Sequence, residues 1–525
     1  MPREPLRVFV VLEDRVVPAW IARVLDAVAA SPAATLAGIG EIARRPAPRA
    51  GLAFRAYLAL DRRLFAPAED ALAPVDVSST LAPVARAATP AEARADLVLK
   101  LTRAPLPPDW LAAAPLGVWS FDHLESEAKG GAPFFWEIAR RHPVTELALR
   151  AHTAEGARLL ARGFAATDPT SLARGRQGPL WKAAGFVARA LRDATAPREE
   201  GPSGAAGACS APAREPGALE VARFTGALGL RVARERLRLR THEEPWFVAL
   251  RPSEGSLVDG PMHGFTPIPM PGDRFYADPF LVPDGERLWL FFEDAARASG
   301  KGVIRCSEVL PGGALGESHV VLERAYHLSY PFVFSRHGAW FMLPETSAQR
   351  SVELWRAVQF PWQWKLEREL LSDVRAVDPT LLEHGGRLWL FAGVSESGGA
   401  AQDELFLYSA DDLTGDWRPH PENPVVSDVR HARPAGPLFH EGGVLYRPGQ
   451  DCSGAYGSAF WIHRVDRLDA EGYRETPVRR VNPVWQPELT ATHSLCRAGG
   501  FDAIDGRMWV RRGAGFPPPR AHESS

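Results

Sequence analysis

The sequence predicts an α/β N-terminal domain followed by an all-β, five-bladed β-propeller, and a repeat is the strongest sign of the propeller. A proline-anchored strand segment recurs at Pro279, Pro331, Pro379 and Pro434, at steps of 52, 48 and 55 residues. After each anchor come a glycine turn and an aromatic strand, and a fifth unit around His493 lies 59 residues past Pro434. A fixed period near fifty residues, with several short strands per unit, is typical of propellers. Five units therefore predict five blades.

Residues 1–165 alternate between strand and helix patterns. Residues 6–12 are a β-branched run of the kind that is buried in a parallel sheet, and residues 18–30 carry apolar side chains at helical spacing. A helix is expected at 134–141, and further strands are expected at 35–39, 96–101, 116–121 and 144–150. This alternation predicts an α/β domain built on a parallel sheet.

Composition sets the remaining boundaries. Residues 166–195 hold one amphipathic helical extension, and residues 196–218 are rich in Pro, Gly and Ala, which predicts a flexible linker. The propeller is then expected over 219–513, where residues 221–250 supply an outer strand that closes the ring. Residues 514–525 are predicted to be a disordered tail.

Bulk composition excludes several classes of protein. The chain has 525 residues, 24% of them charged, and a net charge of −2, so it offers no electrostatic footprint for nucleic acid. The four cysteines have neither metal-ligand spacing nor a paired framework, and no metal site is expected. The sequence lacks a signal-peptide pattern and any apolar run long enough to span a membrane. We therefore expect a cytoplasmic protein without an integral membrane segment, of undetermined oligomeric state.

Three segments of the first domain carry a family resemblance. They are Asp96-Leu-Val-Leu99, Leu116-Gly-Val-Trp-Ser-Phe-Asp-His123 and Gly130-Gly-Ala-Pro-Phe-Phe-Trp-Glu137. In this order they make residues 6–165 resemble the folate-dependent formyltransferases. In that family an Asn-x-His pair and a later Asp position and deprotonate the amine that takes the formyl group.

The positions that match this pair read Ser120 and Asp122, with His123 one residue further on. A side chain one position along a strand points to the opposite face, so His123 serves as the base only if the register slips. The resemblance implies sugar N-formyl transfer with formyl-tetrahydrofolate as cofactor if the domain is active. A degenerate scaffold kept for binding or assembly is the favoured alternative.

The repeats also predict where functional side chains converge. In a propeller the innermost strand of each blade lines the central channel, and its first residues face one mouth. The matching positions are Asp278, Tyr330 or its neighbour Ser329, Asp378, Arg433 and His493. Other candidates from the same modules are Glu345, Arg447, Gln450 and Asp451, with Tyr446 and Tyr456 as aromatic platforms.

These residue types suit a polyhydroxylated ligand. Carboxylates accept hydrogen bonds from pairs of hydroxyls, and arginines donate to ring oxygens or phosphate. We predict that Asp278, Glu345 and Asp378 are catalytic and that the other candidates bind substrate. The structural alternative is that Asp before Pro merely caps the turn at the start of each blade.

An ordered set of motifs gives the propeller a resemblance of its own over residues 270–512. The motifs are Ala277-Asp-Pro-Phe280, Leu343-Pro-Glu-Thr346, Val377-Asp-Pro-Thr-Leu381, Tyr446-Arg-Pro-Gly-Gln-Asp451, Thr492-His-Ser494 and Ile504-Asp-Gly-Arg507. The set resembles the N-terminal domain of the glucosamine inositolphosphorylceramide transferases and, more distantly, the arabinanase-type (family 43) glycoside hydrolases. Those hydrolases use two Asp residues and then a Glu in chain order, whereas the order here is Asp278, Glu345, Asp378.

Together these patterns predict a carbohydrate-active or glycan-binding protein of polysaccharide or glycolipid biosynthesis. The propeller mouth is expected to bind or process a sugar-bearing substrate, and an enzyme, either a glycan-modifying transferase or a hydrolase-like one, is favoured. Two alternatives stay open: a sugar N-formyltransferase that acts through the first domain, and a non-catalytic glycan-binding scaffold.

Overall fold

The computed structural model describes residues 4–42, 51–84, 87–195, 214–396 and 399–513. The chain divides into two compact units, the first formed by residues 1–232 with 396–399 and the second by the remainder. The predicted tail at 514–525 and most of the predicted linker, residues 196–213, lie outside the described residues.

The first unit is built on one six-stranded sheet. Its strands lie in the order Ala34–Glu41, Leu6–Leu12, Leu97–Lys100, Val118–Phe121, Val144–Thr153, Gly156–Ala166. The first four strands are parallel, and the last two form an antiparallel hairpin at one edge. Two short strands, Val16–Pro18 and Pro74–Asp76, pair with each other separately. The predicted α/β domain with a mainly parallel sheet is confirmed.

Apolar side chains cover both faces of this sheet. Val8, Val10 and Leu99 belong to a core with Trp20 and Phe186, while the alternate positions Phe9, Val11 and Val98 belong to a second core with Trp110. The helices are Ala19–Ala30, Leu52–Leu64, Ser78–Leu81, Trp110–Ala113, Asp122–Ala128, Phe135–Ala139, Leu172–Gly175 and Gln177–Thr195. Burial on both faces is what a parallel sheet requires.

A long helix, Ala218–Thr241, follows the predicted linker. Residues 221–240 therefore do not contribute a strand to the propeller, contrary to the sequence-based expectation. The segment is rich in Leu, Ala and Arg, all strong helix formers, and its next proline is Pro245. Among the described helices, none is long and apolar enough to cross a membrane.

The second unit contains five blades. Blades 1 to 4 are antiparallel four-stranded sheets. Blade 1 has strands Arg274–Asp284, Arg287–Ala296, Gly302–Val309 and Leu315–Leu322; blade 2 has Ser329–Arg336, Ala339–Glu345, Ser351–Gln359 and Gln363–Ser372; blade 3 has Ala376–His384, Arg387–Val394, Leu405–Ala410 and Arg418–Pro419; blade 4 has Phe439–Glu441, Val444–Asp451, Ala459–Leu468 and Tyr473–Val481. The predicted five-bladed propeller is confirmed.

Blade 5 combines strands from distant parts of the chain. Strand Phe501–Met508 pairs on one side with the short inner strands Leu489–Ala491 and Leu495–Ala498. On its other side it pairs with Trp246–Pro252, which in turn pairs with Thr266–Pro267. Another short pair joins His242–Glu243 to Val510–Arg511. Residues 246–252 thus close the ring, as third strand of the blade.

The inner strands of blades 1 to 3 share an unusual backbone feature. Asp278, Tyr330 and Asp378 have φ angles of 50°, 45° and 52°, and each precedes the repeated proline. The pairing register with the second strand shifts at each of these positions. A non-glycine residue in the left-handed region costs on the order of 1–3 kcal/mol, and such residues cluster at functional sites.

Candidate functional site at the propeller mouth

Asp278 is the buried centre of one half of the mouth. Its Oδ2 accepts a hydrogen bond from the Tyr330 backbone N–H (3.2 Å), and its Oδ1 accepts one from Ser494 Oγ (2.8 Å). Its own backbone N–H donates to Asp505 Oδ2 (3.2 Å), and His493 Nε2 lies 3.8 Å from its Oδ1. From its left-handed backbone position, the Asp278 carboxylate thus contacts both blade 2 and blade 5.

Asp378 holds the corresponding place in blade 3. Arg433 donates to both of its oxygens, from Nε to Oδ2 at 2.5 Å and from Nη2 to Oδ1 at 3.0 Å. Nη2 of the same arginine also reaches Glu345 Oε2 at 3.3 Å. Gln450 Nε2 donates to Asp378 Oδ2 at 2.8 Å. The structure thus brings four of the predicted site residues into one hydrogen-bonded group.

His493 joins this group to aromatic side chains. Its Nδ1 lies 2.5 Å from Asp505 Oδ2, and its ring stacks on Trp246 with centroids 4.0 Å apart. The ring of Tyr456 meets it edge-on at 5.4 Å, and the Arg433 guanidinium lies over the other part of that ring at 5.0 Å. Tyr456 is 37% exposed, whereas His493 is buried. An accessible aromatic ring therefore borders the charged group.

Burial and mutual repulsion raise the pKa values of the two aspartates toward neutrality. Desolvation raises the pKa of Asp278 to about 6, opposed by His493 and reinforced by Asp378 and Asp505. Desolvation likewise raises the pKa of Asp378 to about 7, in spite of Arg433. Burial disfavours the His493 imidazolium, yet Asp505 and Asp278 raise its pKa above the ordinary value. The group is thus able to hold and release protons near neutrality.

Sequence reasoning missed two acids of this cluster. Glu293 is buried on the second strand of blade 1, and burial together with Asp278, Glu345 and Asp378 holds its pKa well above the usual range. Asp505 lies on the second strand of blade 5 and accepts hydrogen bonds from the backbone N–H groups of His493 and Ser494. The available signal was positional, because Glu293 pairs opposite Ala277 just as Glu345 pairs opposite Ser329.

Tyr330 lies beneath the mouth rather than on its surface. Its side chain is buried, and its hydroxyl accepts from the Gly436 N–H and lies 2.8 Å from Thr380 Oγ1. It ties blade 2 to blade 3 and to the segment that leads into blade 4. Its predicted contact with substrate stays a prediction, and the geometry gives it a positioning role.

Two predicted residues are engaged elsewhere in blade 4. Arg447 makes a buried bidentate pair with Glu475, with both N–O distances at 2.7 Å. Asp451 accepts from Arg480 and from Ser453. Side chains alternate along a strand, so Gln450, which reaches Asp378, faces away from Arg447 and Asp451. The structure therefore does not bring these two residues to the mouth.

One set of mouth residues has donor atoms arranged for a cation. Among the described residues, Asp278, His493 and Asp505 each place one ligand atom within 4.8 Å of the others. His493 Nδ1 is already hydrogen-bonded to Asp505, so a cation would compete with that proton. The chemistry of the set fits a His–carboxylate hydrogen bond directly.

The first unit has a separate cleft at the carboxyl ends of its parallel strands. It encloses about 560 Å³, and Glu13, Thr102 and His123 lie at the strand ends that border it. His123 is buried, burial lowers its pKa to about 3, and neither ring nitrogen has a hydrogen-bond partner among the described residues. Asp122 pairs instead with Arg150 at 2.9 Å, and Ser120 is buried in the sheet. The three predicted residues therefore do not form a base–carboxylate pair.

Comparison with known proteins concerns the propeller. Residues 268–485 match the family model described as "Glucosamine inositolphosphorylceramide transferase 1, N-terminal". The glucosamine inositolphosphorylceramide transferase 1 of Oryza sativa subsp. japonica is 38% identical over 209 residues, which are 39% of this chain and 28% of the rice protein. The protein of the same name from Arabidopsis thaliana is 37% identical over 209 residues, which are 39% of this chain and 27% of the plant protein. The chain thus matches little more than a quarter of these relatives.

Solved structures with similar folds include glycoside hydrolases. The family 117 enzyme Zg3597 of Zobellia galactanivorans has a TM-score of 0.34 at 12% identity, covering 51% of this chain and 90% of that one. A GH43_1 enzyme from Xanthomonas citri has a TM-score of 0.35 at 13% identity, covering 46% of this chain and 89% of that one.

The family match takes in Asp278, Glu345, Asp378 and Arg433, whereas His493 and Asp505 lie beyond it. The resemblance predicted from the motifs is confirmed: residues 268–485 of this propeller match the model of the family described as glucosamine inositolphosphorylceramide transferase 1, N-terminal.

Proposed function

We propose that the propeller mouth binds a sugar-bearing substrate of glycolipid or polysaccharide biosynthesis and performs acid–base chemistry on it. The observation that carries this proposal is the buried pair Asp278 and Asp378, whose pKa values are raised to about 6 and about 7. Groups that titrate near the working pH are the efficient proton donors and acceptors of enzymes.

The surroundings of the pair suit a carbohydrate. Arg433 and Glu345 are slightly exposed beside the buried acids and offer a guanidinium and a carboxylate to hydroxyl or phosphate groups. Tyr456 supplies an accessible aromatic face next to them. The family match is to a domain of transferases whose name specifies a sugar and an inositol-containing lipid, which supports the same class of substrate.

We assign the proton transfers to the carboxylates by their ionisation. Asp278 loses its proton first and acts as the base that accepts a proton from a substrate hydroxyl or from water. Asp378 keeps its proton to higher pH and acts as the acid that protonates the leaving oxygen, while Arg433 and Gln450 position it. Glu345, tied to Arg433, binds a substrate hydroxyl.

The test uses the full chain. Thermal unfolding is measured with free monosaccharides, nucleotide sugars and inositol-phosphate glycans, because a ligand at 100 times its dissociation constant stabilises by ~2.7 kcal/mol. Stabilising ligands then enter turnover assays that follow sugar release or transfer. Asp278→Asn and Asp378→Asn are expected to abolish turnover.

Asp373→Asn is the matched control. Asp373 is also an Asp with positive φ (55°), but it is exposed and pairs with Arg350 on the surface. It should leave binding and turnover unchanged. If Asp278→Asn turns over substrate at the wild-type rate, the proposal is wrong. If sugars bind and no substrate is consumed by the wild-type protein, the mouth is a glycan-binding scaffold without catalysis.

Formyl transfer by the first unit stays a prediction. The cleft at the strand ends supports it, whereas the lack of an acidic partner for His123 among the described residues does not. Calorimetric titration of the full chain with reduced formyl-folate tests this alternative, and absence of binding would exclude it.

A further inference from the structure

Helix Ala218–Thr241 carries a line of leucines on its exposed face. Leu219, Leu230 and Leu237 are 62%, 54% and 64% exposed. They are 11 and 7 residues apart, which is about three and two helical turns, so their side chains fall along one line. Val221 and Phe224, on the opposite face, are buried. The leucines therefore have no role in the core.

Arginines flank this line on both sides. The stretch 231–240 contains five arginines and a single acid, Glu235. At about 100° per residue, Arg234 and Arg238 lie on one side of the leucines, and Arg236 and Arg240 lie on the other. All four are exposed. The whole chain has a net charge of −2, whereas this short stretch alone has an excess of positive charge.

These arginines are not neutralised by neighbouring acids. Arg234, Arg236 and Arg240 make no ion pair with any residue in the part of the chain that the structure describes, and Arg238 lies over the ring of Trp509 at 4.0 Å. Surface arginines that support a fold usually have an acidic partner or a stacking surface. Here most of the charge faces solvent beside apolar side chains.

One exposed leucine on a protein surface is ordinary, whereas a line of exposed leucines bordered by arginines is typical of an interaction site. In a helix that lies on a membrane, the apolar side chains enter the boundary between headgroups and acyl chains. Arginines on both sides extend along the surface and keep their guanidinium groups at the lipid phosphates. An anionic lipid surface complements both features of this helix.

We propose that the exposed face of helix Ala218–Thr241 docks the protein on an anionic membrane surface, with Leu219, Leu230 and Leu237 inserted and the flanking arginines on the headgroups. The docking is peripheral and reversible, because three leucines supply a limited apolar area. It is independent of any activity at the propeller mouth.

Co-sedimentation of the full chain with vesicles tests the proposal. The protein should bind vesicles of phosphatidylcholine mixed with phosphatidylglycerol, bind vesicles of phosphatidylcholine alone far more weakly, and be released as salt rises. Leu230→Ser with Leu237→Ser should weaken binding by at least roughly tenfold. Arg234→Ala with Arg236→Ala should weaken it on the order of twentyfold, since each arginine near an anionic surface contributes about fivefold.

Matched double variants elsewhere on the surface serve as controls. Leu310→Ser with Leu366→Ser removes two other exposed leucines, and Arg418→Ala with Arg474→Ala removes two other exposed arginines. Both should bind vesicles like the wild type, and thermal unfolding should be unchanged in all four proteins. The proposal is overturned if the wild type ignores anionic vesicles or if the helix leucines can be replaced without effect. Retention on duplex DNA that depends on the arginines alone, without vesicle binding, would identify a nucleic-acid surface instead.

Discussion

Arg433 donates hydrogen bonds to both carboxylate oxygens of Asp378. Asp378 lies on the third blade, and Arg433 lies 55 residues further along the chain, on the segment that leads into the fourth blade. Both side chains are largely buried, and Glu345 and Gln450 complete the group. The pair therefore connects two blades and sets the electrostatics of the mouth at the same time.

Removal of the Arg433 guanidinium should destabilise the protein. Above pH 7, where Asp378 is ionised, Arg433→Met leaves Asp378 and Glu345 without their shared partner, and breaking a buried pair from one side costs ~3–5 kcal/mol. Urea unfolding of the second unit should show a loss of this order, and the double variant Arg433→Met with Asp378→Asn should recover part of it. Arg350→Ala, which breaks an exposed pair with Asp373, should change stability by less than ~1 kcal/mol. Equal losses of stability in the two arginine variants would contradict a stabilising buried ion pair between Arg433 and Asp378.

Ionisation of Asp278 and Asp378 should lower the stability of the protein as pH rises from about 4 to about 7, opposite in sign to the contribution of His123. The ordinary pKa of an aspartate is 3.8, whereas Asp278 and Asp378 hold their protons to about 6 and about 7 in the folded state. In this range these two groups bind more protons in the folded state than in the unfolded state, so their contribution to the free energy of unfolding decreases with pH. Each group contributes at most roughly 3–4 kcal/mol to the change. Denaturant unfolding at a series of pH values should show that Asp378→Asn gains stability relative to the wild type as pH rises from about 4 to about 7; a constant difference would count against the raised pKa.

Turnover, once a substrate is found, should have a narrow bell-shaped pH profile. Activity should rise as Asp278 ionises near pH 6 and fall as Asp378 loses its proton near pH 7. The two apparent values belong to the interacting pair, because the carboxylates influence each other. Measurement of kcat/KM against pH checks this expectation, and a rate that is level from pH 5 to pH 9 would rule out these two groups as the acid and base. Asp373→Asn should leave the profile unchanged.

The buried imidazole of His123 should destabilise the first unit. Both of its ring nitrogens are buried between the rings of Trp20, Phe121 and Phe134, and neither has a hydrogen-bond partner within the described part of the chain. Replacement by Phe removes two unsatisfied polar atoms, so His123→Phe should stabilise the domain by roughly 1–2 kcal/mol. Thermal unfolding measures the change. A clear loss of stability would show that His123 has a structural partner, and an unchanged value would point to compensation by overpacking.

The propeller was predictable because its signal is repeated. The residue before the recurring proline marks the channel in blade after blade, and the structure places Asp278, Asp378, Arg433 and His493 around one mouth. The closing strand was expected within residues 221–250, and the structure places it at Trp246–Pro252, after a helix. That helix has apolar residues on two faces, with Val221 buried on one and Leu230 exposed on the other, so its sequence lacks the single apolar stripe by which a helix is recognised.

The rest of the mouth depends on contacts between blades, which no local pattern encodes. Glu293 and Asp505 reach the cluster from second strands, where a single acid at the end of an apolar run reads as an ordinary surface position. Arg447 and Asp451 lie in the same motif as Gln450 and face the other way, since alternation depends on a register that the sequence does not fix. In the first domain the Gly- and Ala-rich hairpin strand Gly156–Ala166 was not predicted for a similar reason, because only pairing with its neighbour makes it a strand.

The strands of the fifth blade come from distant parts of the chain, and this determines when the mouth can form during synthesis. During synthesis Trp246–Pro252 leaves the ribosome before any of the first four blades, yet its partner Phe501–Met508 emerges after all of them. His493 and Asp505 arrive with that last partner. A nascent or prematurely terminated chain therefore presents an open ring with unpaired strand edges, which are templates for aggregation, and lacks the His493 and Asp505 side chains of the mouth. Chaperones and proteases would meet the protein in this state, so premature stop codons even late in the gene should remove both function and solubility.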